Sequence, residues 1–357
     1  MQGVVIYHIA FLLSSFLAFA SSRKYSVGSK SGMYLSFLVI LCYLIIIILN
    51  GTRDEVGTDY SHYKWVFDIA QRGEVYAIVE PGYWLINTLF VKFEHGYRYV
   101  FALMCALTYL NLFLIAKEEK VLPVLIPFLF SFGFIFFSNN IIRQSFAITL
   151  FIYSIRFIEQ KKFWRYFLSV MIIFLFHTSA LLLIPFYWIG RIRLSKSYWI
   201  IAIFGSIILY KLNIFHNIIR LIASLIPKYS AFIGLAGHDE FRGGFGLSII
   251  LLIILGISVA LFAEFVQKNR RHSLYFNLFM MGVCFSIMLF SSAYFYRFTF
   301  YLFYIVLLLI PIILKNIEKV NFRRITFVYF FLFSLMWWIK ALLFNDGEPL
   351  PYQSFLF

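Results

Sequence analysis

Arg143 stands in the stretch SNNIIRQSFAI, where an apolar run opens, with Asn139, Asn140 and Gln144 beside it. A guanidinium at a helix start suits a phosphate, because it presents a rigid fork of donors where the helix terminus adds positive potential. The alternative is an arginine snorkelling from a span end, a habit commoner at the cytoplasmic end. His177 lies in FLFHTSALLLIP, in the middle of a long apolar stretch. An imidazole there can take a proton from a sugar hydroxyl, or hold a phosphate when charged. It can equally make one interhelical hydrogen bond and nothing more. RDEVGTDYSHY gathers Arg53, Asp59, Tyr60 and Tyr63, and EPGYW follows with Glu80 and Tyr83. Carboxylates orient or deprotonate hydroxyls and tyrosine rings stack on sugar faces; an ordinary solvated loop is the plainer reading. Arg297, in SSAYFYRFTFY, is a second arginine at a span end.

Other chemistries lack their residues. The sequence carries no Walker A motif, no HExxH, no paired CxxC and no Asp-x-Asp triplet. Cys42, Cys105 and Cys284 stand alone in separate apolar runs and read as small packing residues. No metal and no cofactor is expected. A bound diphosphate would therefore draw its positive charge from arginines.

The elements that must position these residues are apolar. Of the 357 residues, 62% are hydrophobic and 13% charged, too apolar for a water-soluble domain. The 46 Phe and 24 Tyr suit the lipid core and the headgroup boundary. The net charge of +15 does not point to nucleic acid, because Lys and Arg fall in short runs between apolar segments. Spans are predicted at 4–20, 32–50, 99–116, 121–137, 145–158, 197–213, 247–266, 273–292, 297–314 and 325–344. The first lacks a basic lead and reads as a span rather than a signal peptide. Residues 82–93 are too few to cross, and 166–189 carry His177 at their centre.

Basic loops at 21–31, 159–165, 190–196, 267–272 and 315–324 all belong on the cytoplasmic side. They share it only if 82–93 and 166–189 each enter and leave by one face. The expected fold is therefore all-α: a polytopic integral membrane protein of about ten to twelve transmembrane helices. One or two re-entrant or hairpin segments are included, and the N-terminus is outside. One transmembrane domain, 1–357, is expected, with outer loops at 51–81 and 214–246. The second outer loop opens on an amphipathic run, IFHNIIRLIASLI, suited to an interface.

The segments GTDYSHY, EPGYWLINTLF, NNIIRQSFAITLFIYSIRFIEQKKF and FHTSALLLIPFY, in that order, resemble the EpsG family of polysaccharide polymerases, which is similar to Wzy-type O-antigen polymerases. The resemblance is carried by residues of about 50–190. Its elements fall on Gly57, Thr58, Asp59 and Tyr60; on Glu80 and Pro81; on Arg143 and Gln144; and on His177, Ser179 and Ala180. Arg297 answers to an arginine near a late span.

The resemblance implies a glycosyltransferase of the inner membrane with its active site facing the periplasm. Its substrate would be undecaprenyl-diphosphate-linked oligosaccharide, and a chain-length regulator is an expected partner. The base would be His177, Asp59 or Glu80. The diphosphate and sugar would be held by Arg143, Gln144, Arg53, Arg297, Tyr60, Tyr63 and Tyr83. Rival readings are a flippase or transporter of lipid-linked oligosaccharide, an O-antigen ligase, and an O-acyltransferase built on the membrane histidine. A flippase must expose polar groups to both sides, whereas here they are expected on one.

Overall fold

A computed structural model describes residues 2–21, 29–74, 79–215, 217, 246–290 and 293–356. Among these the chain is all-helical, with no strand beyond an isolated antiparallel bridge between Arg53 and Ser354. Four helices are long and apolar enough to cross a membrane: Gly3–Ser21, Gly96–Glu118, Phe295–Asn316 and Val320–Leu343. Leu122–Ser131 and Phe134–Asn140 make a fifth if counted together, bent by 66°. The break falls at Gly133, whose φ of +69° takes it out of the helical region.

The chain is thus a helical protein with several apolar spans; the four or five found among the described residues do not confirm the expected ten to twelve. The other expected segments do fold as helices, but several stop short. Leu247–Leu261 has 15 residues and Lys196–Lys211 has 16, about 23 Å of rise against a hydrocarbon core of about 30 Å. Ile142–Glu159 is long enough but charged near both ends. The outer loop expected at 214–246 lies almost wholly outside the described residues.

Two compact units emerge. The first comprises Met1–Tyr153, Leu168–Leu181 and Ile317–Phe357. In it α1 (Gln2–Ser21) packs on α2 (Ser29–Gly51) and α6 (Leu122–Ser131). Helix α2 packs on α5 (Gly96–Glu118), and the late helix Val320–Leu343 on α6. Polar pins fix the register of these apolar faces. Ser334 donates to Ser131 at 2.7 Å, and Asn50 Nδ2 donates to the Tyr109 hydroxyl at 2.9 Å and the Ile135 carbonyl at 3.0 Å.

The hydrophilic stretch after α2 is not an open loop. It folds as α3 (Tyr60–Gln71), whose buried Tyr60, Tyr63, Val66, Phe67 and Ala70 recur at helical spacing. They pack on α4 (Pro81–Phe90) and the start of α5 through Tyr83, Ile86, Tyr97 and Phe101. At ten residues, or about 15 Å, α4 cannot cross a membrane. After Val320–Leu343 the chain turns back as a strap over the end of α2. Gly57 N donates to Glu348 O, Asp54 N to Gln353 O, and Phe355 N to Thr52 O, at 2.9–3.1 Å. The Tyr352 hydroxyl reaches Leu49 O at 2.9 Å.

Helix α8 (Ile142–Glu159) leads into a hairpin. Helix α9 (Phe163–Phe174) rises for 12 residues, about 18 Å. The chain turns at His177, descends as a 3₁₀ segment (Thr178–Leu183) and ends in α10 (Phe186–Ile189). Its base closes on itself: the Tyr166 hydroxyl donates to Leu183 O at 2.6 Å, and the Phe163 ring meets those of Tyr187 and Trp188 at 5.1 Å. The chain thus doubles back where the flanking basic loops predict an excursion that enters and leaves by one face.

The second unit is Ser154–Phe167 with Leu182–Asn316. Here Lys196–Lys211 and Leu247–Leu261 pack on each other and on Arg270–Met288. Its basic loops meet at one end. Arg271 pairs with Glu159 at 2.7 Å and Gln267 Nε2 donates to Leu194 O at 3.0 Å.

Candidate active site

The site of interest is built in the first unit, where α3, α4, the start of α8 and the hairpin turn converge. Glu80 precedes α4, with Pro81 at its first position, where the missing N–H is no loss. Gly82 N donates to Leu175 O at 2.7 Å. A Cβ at Gly82 would stand 2.8 Å from that same carbonyl, so only glycine lets α4 meet the hairpin backbone. This contact sets Glu80 against the turn, and its Oε1 accepts from the Thr178 amide at 3.3 Å.

Glu80 is 7% exposed, and its other oxygen accepts from Arg143 Nη1. Arg143 lies in the first turn of α8, where the helix field disfavours a cation; the carboxylate offsets that. The guanidinium lies 5.6 Å from the ring centres of both Tyr63 and Tyr83, within cation–π range. Arg143 Nε is buried with no hydrogen-bond partner, so the group keeps donor capacity. On the neighbouring turn, His177 Nδ1 is held by the Ser179 hydroxyl at 2.8 Å.

The structure brings together Glu80, Arg143, Tyr63 and Tyr83, with His177 one residue from the amide on Glu80. The tyrosines were expected to stack on sugar faces, but Tyr60, Tyr63 and Tyr83 are 0–4% exposed. Their rings instead flank Arg143 or fill the core, since the amphipathic α3 turns that face inward. Burial pushes the Tyr63 phenol up, the neighbouring Arg143 pulling the other way. Burial, and a hydrogen bond to Asp54, push Tyr60 up. Both phenols therefore stay neutral donors near pH 7. Asp59 is partly exposed at the start of α3, one turn before Tyr63, and does not cap the helix. Gln144 is fully buried. Arg297 is exposed and belongs to the second unit.

Arg53 was expected at the diphosphate but is 1% exposed. Its two Nη groups donate to Asn50 O at 2.6 Å and Asn139 O at 2.8 Å, and Phe101 lies 5.1 Å beneath. Those carbonyls belong to the last turns of α2 and of α7 (Phe134–Asn140). One guanidinium thus caps two negative helix ends, and its burial lowers its pKa from the free arginine value. The cavity beside it is about 10 Å³, too small for a sugar.

Sequence reasoning missed the strap. Asn140 Nδ2 donates to Gly347 O at 2.7 Å and its Oδ1 accepts from Thr58 at 3.2 Å. Gly57 and Gly347 both press on Asn140, at φ of +102° and +79°. A signal was present in GEPLPY, whose Gly and prolines mark a turn after the last apolar run. A model of the EpsG family matches residues 5–354. No curated protein and no solved structure matches the chain.

Proposed function

The chain belongs to the EpsG family, and from that premise we propose that it joins lipid-diphosphate-linked oligosaccharide repeats into a polysaccharide. The observation that carries the proposal is Arg143: a guanidinium at a helix start, clamped by Glu80 and two tyrosines, beside a hairpin turn bearing a histidine. That is an anion site next to a candidate base, which glycosyl transfer from a diphosphate needs.

In this reading an acceptor hydroxyl oxygen attacks the anomeric carbon of the donor. The bond from that carbon to the phosphate oxygen breaks, and its electron pair leaves with the undecaprenyl diphosphate. The hydroxyl proton passes to His177, with Asp59 as the competing base. Both oxygens of Glu80 are engaged, so Glu80 positions Arg143. Arg53 positions the frame, and Arg143 stabilises the departing charge. The site faces outward from the inner membrane, and its tails lie among the apolar helices.

Cell-surface polysaccharide resolved on a gel tests the reading. Loss of a polymerase leaves single capped repeats. Surface chains that vanish altogether indicate a flippase instead, and long chains stranded on lipid indicate a ligase; either overturns the proposal.

A further inference from the structure

In the second unit, three basic loops converge on a cavity of about 190 Å³. Lys161, Arg191, Arg193 and Arg270 line it together with Ser273 and Asn277, and no carboxylate is among the lining residues. The acid of this region, Glu159, is taken by Arg271. A preference for basic loops on one side of a membrane accounts for the charges. It does not account for their convergence on a built cavity.

The building is done by Asn277, 1% exposed in the second turn of the helix Arg270–Met288. Its Nδ2 donates to Gly190 O at 3.2 Å and Ile192 O at 2.7 Å, tying the loop of Arg191 and Arg193 to that helix. Arg191 is fixed further, with its guanidinium 3.8 Å from the Tyr187 ring centre and Nη2 on Ile158 O at 3.3 Å. Its Nε is buried without a partner, and so is the Oδ1 of Asn277. The cavity therefore offers several cationic donors and one buried acceptor. An anion bearing a hydroxyl of its own satisfies both. The amides of Arg271 and His272 are already capped by Asn269, so side chains rather than backbone do the binding.

Around the cavity the surface is apolar. Trp164, Trp188, Ile189 and Ile192 are 40–74% exposed. Two tryptophans beside a basic cluster mark the headgroup level of a bilayer. We propose that this cavity binds the phosphodiester headgroup of an anionic glycerophospholipid, its glycerol hydroxyl facing Asn277 and its acyl chains on the tryptophan-bearing surface. Soluble phosphate shares the charge chemistry but leaves the apolar rim uncovered.

The test is native mass spectrometry of the purified full chain titrated with phosphatidylglycerol, phosphatidylcholine or inorganic phosphate. Phosphatidylglycerol is expected to bind at least tenfold tighter than phosphatidylcholine. Lys161→Gln with Arg193→Gln removes two exposed charges while Arg191 and Asn277 keep the fold. The pair should weaken phosphatidylglycerol on the order of 30-fold, about fivefold per charge. Equal binding of the two lipids, or no effect of the double substitution, overturns the proposal. Saturation by inorganic phosphate without lipid preference overturns the lipid assignment.

Discussion

At the scale of single residues, Arg143 carries the sharpest prediction. A planar fork between two rings and a carboxylate is not replaced by an ammonium. Arg143→Lys should therefore fail nearly as badly as Arg143→Ala, with polymerisation down by about 10²–10³-fold at normal membrane levels. Glu80→Gln separates positioning from proton transfer. Glutamine keeps an acceptor for the Thr178 amide but loses the charge on Arg143. A loss of about tenfold fits positioning, the difference between charged and neutral hydrogen bonds. A loss of about 10³-fold would instead mark Glu80 as the base. His177→Gln should cost about two to four orders of magnitude if the imidazole takes the proton. Such a base works only when neutral, so wild-type activity should fall as the pH is lowered. A carboxylate base would hold activity to lower pH than an imidazole. In vitro polymerisation across pH distinguishes these, and a near-normal His177→Gln rate moves the role to Asp59.

At the scale of elements, the hairpin and the strap each make a prediction. If α9 and the segment after it enter and leave by one face, cysteines at 161 and 193 must label from the same side of the membrane. Labelling from opposite sides would disprove the hairpin. Gly82→Val should force α4 off Leu175 O and move Glu80 by about an ångström, a misplacement that can cost on the order of 100-fold in rate. Gly347→Val should lift the strap from Asn140 and expose 51–58 to protease, read by limited proteolysis in membranes. Arg53→Met leaves two helix-end carbonyls without their charged donor. The lost hydrogen bonds are worth about 1.5–3 kcal/mol each, read as lower stability in detergent.

At the scale of the whole molecule, the class of fold was legible because burying 62% apolar residues has few solutions. The doubling back of the chain within 166–189 agrees with the flanking charges, which report sidedness without knowledge of packing. The number of crossings is not confirmed, since several apolar runs fold as helices shorter than a span. Among the site residues, Arg143 and Glu80 were legible as types, but their pairing spans 63 positions and leaves no local pattern. The inward turn of Tyr60 and Tyr63 was missed because the acids around them masked the helical period of α3. The strap was missed for a related reason: its partners are backbone groups, which every residue carries. That strap also has a consequence in time. Thr52 meets Ser354 across 302 positions of chain. On the ribosome, the loop that carries Asp59 is inserted long before its brace is translated. Residues 51–58 therefore lack these partners until residues 347–355 have been made.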